Sequence, residues 1–234
     1  MLICGLQKLS LLDYPEKLAA TIFTGGCNLR CPFCHNALLV TRLSESETFS
    51  VEEVLNFLKK RIGLLDGVCI TGGEPLLQND LEDFIVEIRR LGFKIKLDTN
   101  GTFPDKLAFL LDKGLIDYVA LDIKNSPEKY PLTVGLPDFD SKPVFESAAL
   151  LMRGPVPYEF RTTLVREFHT YDDIEKIGRI LSGAANYYLQ NFEDSGDLVG
   201  FGSFGSTLSA LASPEAEHCR DILSKYIENV KIRN

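Results

Sequence analysis

The stretch GVCITGGEPLLQNDLEDFIVEIRRLGFKIKLDTNG, residues 67 to 101, decides the fold. Gly67 to Thr71 is a short apolar run stopped by Gly72-Gly73, the pattern of a buried strand. Asp80 stands where a helix would be capped. Leu81, Phe84, Ile85 and Ile88 recur on one helical face, and Gly92 is placed to end it. Lys94 to Thr99 reads as a second strand, with Asn100-Gly101 making the turn. Strand, helix and strand in this order imply a parallel sheet with right-handed crossovers.

The same alternation extends both ways. Upstream, Lys17 to Phe23 is an apolar strand bounded by Pro15 and Gly25-Gly26. Ser50 with Glu53 is a capping box opening a helix whose Val54, Leu55, Leu58 and Ile62 share a face. Downstream, Leu107, Leu110 and Leu111 mark a helix ending near Gly114, and Asp117 to Ile123 is a strand. A Pro-punctuated stretch, 126 to 143, leads to a helix through Ala148 and Leu151. Tyr158 to Val165 is the fifth strand, followed by a helix with Ile174, Ile177 and Ile180. Asn186 to Phe192 is the sixth. A Gly/Ser-rich loop, 195 to 206, is the best candidate for a mobile segment. The last helix begins at Ser213-Pro214-Glu215, with cap, first-turn proline and first-turn acid. Six β/α units without a break predict one α/β domain over 1–234, its core about 17–192 and a C-terminal helix and tail at 213–234. The sheet could be open and doubly wound, or a barrel, complete or partial. In either case the site belongs at the carboxyl ends of the strands.

Composition narrows the function classes. Of 234 residues, 45% are hydrophobic and 25% charged, which is ordinary for a packed domain. Lys and Arg number 25 against 33 Asp and Glu, a net charge of −8, so the basic surplus of a nucleic-acid binder is missing. No apolar run approaches the roughly 20 residues of a membrane span. The start is too broken by charge for a signal peptide. The expectation is a cytoplasmic protein with no membrane or nucleic-acid partner.

The chemistry gathers where strands end. In GGCNLRCPFCHN, residues 25 to 36, Cys27, Cys31 and Cys34 form C-x3-C-x2-C directly after the first strand. Three thiolates on one loop suit an iron–sulfur cluster with one iron left open to a small ligand. A zinc site with His35, a Cys31–Cys34 redox pair, a haem attachment at Cys31-Pro-Phe-Cys34-His35 and three buried thiols are the competing readings. In ITGGEPL, Gly72 and Gly73 let backbone approach a ligand and Glu74 would set a carboxylate beside it, suited to an ammonium; a plain turn competes. Asp98, Thr99 and Asn100 leave the third strand as a polar cluster or a capping turn. Asp122 interrupts an apolar strand with Lys124 on its same side, so the two are salt-bridged or line a ligand site. Arg161 is a charge inside the fifth strand, and Gln190 a weaker signal in the sixth. Convergence at one strand-end site explains these together.

The run GCNLRCPFCHN followed by TGGEP resembles the radical S-adenosylmethionine (SAM) enzymes, over nearly the whole chain. LDTNG and LDIK resemble the activating enzymes of glycyl radical enzymes, and LLDYPEKLAATIFTGGCNLRCPFCHN looks most like the anaerobic ribonucleoside-triphosphate reductase activators, with pyruvate formate-lyase activators the nearest cousins. The resemblance implies a partial (β/α)6 TIM-like barrel. It implies one [4Fe-4S] cluster on Cys27, Cys31 and Cys34, whose open iron binds the amino and carboxylate groups of SAM. Reductive cleavage then gives methionine and a 5′-deoxyadenosyl radical that abstracts hydrogen from a glycine Cα of a partner. By the same resemblance Phe33 packs the adenine, Gly72, Gly73 and Glu74 meet the methionine ammonium, and Lys124 and Arg161 meet carboxylate or ribose oxygens. Asp98, Thr99 and Asp122 match a polar set that holds a monovalent cation in the pyruvate formate-lyase cousin. A flavodoxin- or ferredoxin-type donor would supply the electron.

Two departures stand out. Residues 35 to 68 lack the extra cysteines that many glycyl radical enzyme activators carry after the first motif, and Cys4, Cys69 and Cys219 are dispersed, so one cluster is expected. The usual DYPGKL glycine is Glu16 here. The alternatives are an activator of another glycyl radical enzyme, a small-molecule radical SAM enzyme akin to 7-carboxy-7-deazaguanine synthase, and a non-catalytic zinc or redox module.

Overall fold

The computed structural model describes residues 1–194, 196–200 and 208–233. Most of the 195–206 loop therefore lies outside the described residues. Eight strands follow one another in chain order. They are β1 (Ile3–Ser10), β2 (Ala19–Thr24), β3 (Gly67–Gly72), β4 (Lys94–Thr99), β5 (Tyr118–Asp122), β6 (Tyr158–Leu164), β7 (Asn186–Asn191) and β8 (Asn229–Arg233). The helices are α1 (Ala37–Val40), α2 (Val51–Lys59), α3 (Leu81–Arg90), α4 (Pro104–Asp112), α5 (Tyr130–Thr133), α6 (Lys142–Arg153), α7 (Tyr171–Ile180) and α8 (Ser213–Leu223). All six expected strands are present. β1 and β8 are additional.

The chain packs as two compact units. The first holds residues 1–28, 38–99 and 105–120. Here β1 runs antiparallel to β2, while β2–β3 and β3–β4 are parallel. β2, β3 and β4 are buried along almost their whole length, as expected of parallel strands covered on both faces. β1 differs. Its middle, Gln7 to Leu9, is exposed, so it shows no clean apolar run. The Ser50 capping box on α2 forms, with Glu53 N donating to Ser50 Oγ at 3.1 Å and Ser50 N to the Glu53 carboxylate at 2.8 Å. Ile62 falls past the end of that helix and is 56% exposed, against the expectation that it faces inward. Asp80 holds the capping position of α3 but makes no side-chain cap bond; its carboxylate pairs with the Met1 ammonium instead. Glu16 is the one non-glycine described residue in the left-handed region, at φ 60°. That is the conformation glycine adopts without cost, and it explains the glycine usual at this place.

The second unit holds residues 29–37, 100–104 and 121–234. β6, β7 and β8 pair in parallel. α7 buries Ile174 and Ile177 but leaves Ile180 exposed at its end, which corrects its expected inward face. Thr170 and Asp173 close a capping box on this helix. The cap of α8 is Ala212 rather than Ser213; Glu215 reaches back to the Ala212 N–H at 2.8 Å. Glu159, 1% exposed on β6, receives both Arg233 nitrogens at 2.8 Å, a bidentate clamp on β8.

Candidate functional site

The expected site residues fall into two sets, one in each unit. In the first, the polypeptide leaves β2 and β3 side by side. Gly73 N donates to Thr24 O and Glu74 N to Gly26 O, both at 2.8 Å. A Cβ on Gly73 would lie 2.0 Å from Gly26 O, and one on Gly72, at φ 110°, 2.5 Å from Thr24 N. The two glycines are thus required by the backbone that leads into Cys27. Glu74 is fully buried; its Oε1 accepts from the Thr99 hydroxyl at 2.8 Å and from Leu76 N at 3.1 Å. These bonds compensate a carboxylate that burial alone would penalise. Asp98, on β4, pairs with Lys96 two residues earlier on the same side of the strand. Cys69 Sγ on β3 stands 3.7 Å from Asp98 Oδ1 and 3.8 Å from Lys96 Nζ.

In the second unit, Cys31 is buried, Cys34 half-buried and Phe33 buried against Phe168, ring centroids 5.8 Å apart. Arg30 N donates to Val134 O, Val199 N to Cys34 O at 3.1 Å and Gly200 N to Pro32 O at 3.1 Å, so the cysteine loop is held by two other segments. Asp122 receives Lys124 Nζ at 3.0 Å and Arg161 Nε at 2.8 Å. The salt bridge expected between Asp122 and Lys124 is present, and Arg161 joins it. Burial would raise the Asp122 pKa, but the Arg161 and Lys124 charges outweigh it and hold it at about 2. Burial would lower that of Lys124; Asp122, then Cys31 and Cys34, raise it above the ordinary lysine value. Burial pushes the Cys34 thiol up, with the Asn36 backbone and Lys124 pulling the other way. An ammonium therefore stands within electrostatic reach of both thiols.

Several supports were not singled out in the sequence. The Lys124 backbone is fixed by its N–H to Tyr130 Oη at 3.1 Å and by His169 Nε2 to its carbonyl at 2.9 Å. Tyr130 and His169 are both buried. Lys96 was also missed, although a lysine two residues from an aspartate inside an apolar strand is the signal that exposed Lys124. Asn100 takes the capping-turn role: its Oδ1 accepts from Thr102 N at 3.0 Å and Thr102 Oγ1 at 2.7 Å. His35 is exposed and packs on the Phe192 ring at 5.7 Å. Gln190 sits on β7 in register with Thr163 and Arg233. Cys27 lies beyond β2, partly exposed.

The donor set fits an iron–sulfur cluster. No disulfide involves any of the six cysteines. Among the described residues no three His, Cys, Asp or Glu gather as a group that could hold a metal ion. In a cluster the three cysteines bind different irons, so their sulfurs need not converge on one point. A buried cysteine beside a lysine ammonium suits thiolate ligation, which releases the thiol proton. The monovalent cation fits poorly, because Asp98 and Asp122 each already face side-chain cations.

Similarity to known proteins is extensive. A family model described as the Radical SAM superfamily matches residues 21–181. A Methanocaldococcus jannaschii protein provisionally named a glycyl-radical enzyme activating enzyme is 35% identical over 242 residues, covering 99% of this chain and 95% of that protein. The pyruvate formate-lyase-activating enzyme of Staphylococcus aureus is 31% identical, over 81% of this chain and 78% of its own. Among solved structures, Streptococcus suis SuiB bound to S-adenosylmethionine superposes with a TM-score of 0.68 at 14% identity. The match covers 89% of this chain and 48% of SuiB. A domain of the pyruvate-formate lyase-activating enzyme from Bacteroides vulgatus matches with a TM-score of 0.58 at 15% identity, over 72% of this chain and 99% of that domain. These structural likenesses show the fold. No helix among the described residues is long and apolar enough to cross a membrane.

Proposed function

Because this chain belongs to the radical SAM superfamily, we propose that it activates a glycyl radical enzyme, with anaerobic ribonucleoside-triphosphate reductase the first candidate. It is an enzyme whose family cofactors are a [4Fe-4S] cluster and SAM. When bound, the reduced cluster supplies one electron that breaks the sulfonium C–S bond, leaving methionine and a 5′-deoxyadenosyl radical that takes a hydrogen atom from a glycine Cα of the partner.

The chain's own residues divide the remaining work. Cys27, Cys31 and Cys34 hold one cluster, and His35 orients their loop. Lys124 and Arg161, both fixed by Asp122, offer N–H donors to carboxylate or ribose oxygens of SAM. Phe33, backed by Phe168, offers a ring to the adenine. Gly72, Gly73 and Glu74 receive the methionine ammonium, with Asp98 and Thr99 shaping that corner. The two units act as one domain over 1–234. The 126–143 and 195–206 segments contact the partner; within the second, residues 199 and 200 are hydrogen-bonded to the cysteine loop. A flavodoxin- or ferredoxin-type donor reduces the cluster in the cytoplasm. The net charge of −8 favours a protein over a nucleic acid as the docked macromolecule.

The similarity to a glycyl-radical enzyme activating enzyme along the whole chain carries this reading. The match to a pyruvate formate-lyase-activating enzyme favours one second reading, the same chemistry on a pyruvate formate-lyase-type partner. Anaerobic mixing of the reconstituted protein, reductant, SAM and either partner, followed by electron paramagnetic resonance, separates them. A glycyl-type doublet with the reductase is the expected outcome. A doublet only with the lyase selects the second reading. No protein radical, with turnover of a small purine or pterin, would make this a small-molecule radical SAM enzyme of the 7-carboxy-7-deazaguanine synthase kind.

A further inference from the structure

Asp98 and Asp122 are the carboxylates at which family resemblance places a monovalent cation, yet each is already charge-compensated. Lys96 Nζ pairs with Asp98 on β4, and its side chain is 2% exposed. Asp122 is bracketed by Lys124 at 3.0 Å and Arg161 at 2.8 Å. A metal cation brought to either carboxylate would meet an ammonium or guanidinium at hydrogen-bonding range, in surroundings where charges are weakly screened. A lysine buried this deeply requires a carboxylate partner. Lys96 stands three residues before Thr99 in the same strand, and Thr99 holds the buried Glu74 at 2.8 Å. The positive charge of Lys96 therefore belongs to the end of β4, which carries Asp98 and Thr99 and, through Thr99, holds Glu74.

We propose that Lys96 is a positioning residue that takes the place of a monovalent metal cation, neutralising and orienting Asp98 so that SAM is bound independently of sodium or potassium. The inference rests on the radical SAM reading for its ligand, not for the ion pair itself. The test measures SAM affinity of the reconstituted holoenzyme by calorimetry in sodium, potassium or choline chloride at one ionic strength. The wild type should give the same Kd in all three within about twofold. Lys96→Met should bind SAM about tenfold more weakly in choline, the order expected for losing a charge-assisted bond, and recover as potassium or sodium replaces choline. Wild-type affinity that rises severalfold with sodium or potassium would overturn the proposal, as would Lys96→Met binding like wild type in choline. Thermal unfolding of the apo proteins supplies a ligand-free readout: potassium should raise the Tm of Lys96→Met over choline and leave the wild type unmoved. If neither protein binds SAM in any salt, the family reading fails, and the apo series still decides the role of Lys96. Should Lys96→Met fail to fold, the wild-type salt series alone carries the decision.

Discussion

Gly73 could be read as room for a ligand, but its α-hydrogen faces Gly26 O so closely that any Cβ would overlap it. Its first task is to bring the β3 exit against the β2 exit. Glu16 is the opposite case, an exposed side chain on left-handed backbone at φ 60°. Such a residue costs about 1–2 kcal/mol relative to a right-handed one, part of which glycine returns through its looser unfolded state. Glu16→Gly should therefore stabilise the protein by a net amount of about 0.5–1 kcal/mol, or about 1–3 °C in Tm for a chain of this length. Urea unfolding and a thermal scan would check it, and iron content should not change. A lower Tm would mean that the Glu16 side chain contributes a contact worth more than the strain. At this scale the sequence was half legible. Asp122 and Lys124 announced themselves as charges in an apolar strand, whereas the left-handed turn at Glu16 was visible only as a departure from a motif.

Among the elements, β2 and β3 were legible as short apolar runs stopped by glycine, and β4 by its place between Gly92 and the Asn100-Gly101 turn. β8 escaped because NVKIR is five residues long, polar at alternate positions and nowhere fully buried. It is held less by apolar burial than by one ion pair. Arg233 gives two hydrogen bonds to buried Glu159 and lays its guanidinium 3.4 Å from the centre of the Tyr188 ring. The pairing spans 74 residues of sequence, which no local pattern can reveal. Arg233→Met should leave the Glu159 carboxylate buried without its bidentate cation, at a cost of about 3–5 kcal/mol. Hydrogen exchange should then show the amides of 229–233 losing protection before those of β7. The double variant Glu159→Leu/Arg233→Met should recover most of that stability, because an apolar pair fills the same space without a stranded charge. If the single variant unfolds no more easily than wild type, β8 is held by its ladder with β7 and the clamp is incidental.

Across the whole molecule, six cysteines pose one question, how many clusters the chain carries. Spacing alone separated 27, 31 and 34 from the rest, and the structure gives each of the others a separate occupation. Cys4 Sγ packs where a Gly25 Cβ would be, 2.6 Å away, and burial raises its pKa. Cys69 is wholly buried beside the Lys96–Asp98 pair. Cys219 lies on the inner face of α8, where burial pushes its thiol to about 11. A cluster ligand must be a thiolate, and burial works against that form at Cys4 and Cys219. Burial raises the Cys34 thiol as well, but Cys31 and Cys34 share the field of the Lys124 ammonium, which opposes that rise at Cys34. Anaerobic reconstitution should therefore load about four irons and four sulfides per chain, one cluster of the [4Fe-4S] kind. The triple variant Cys4→Ala/Cys69→Ala/Cys219→Ala should load the same amount, while Cys27→Ala, Cys31→Ala and Cys34→Ala should each lose the cluster and its absorbance. Iron and acid-labile sulfide assays on the same samples read this directly. About eight irons in the wild type, falling to about four in the triple variant, would mean that the dispersed cysteines build a second cluster. Full loading of Cys31→Ala would remove the C-x3-C-x2-C loop as the ligand set, and with it the chemistry assigned to this fold.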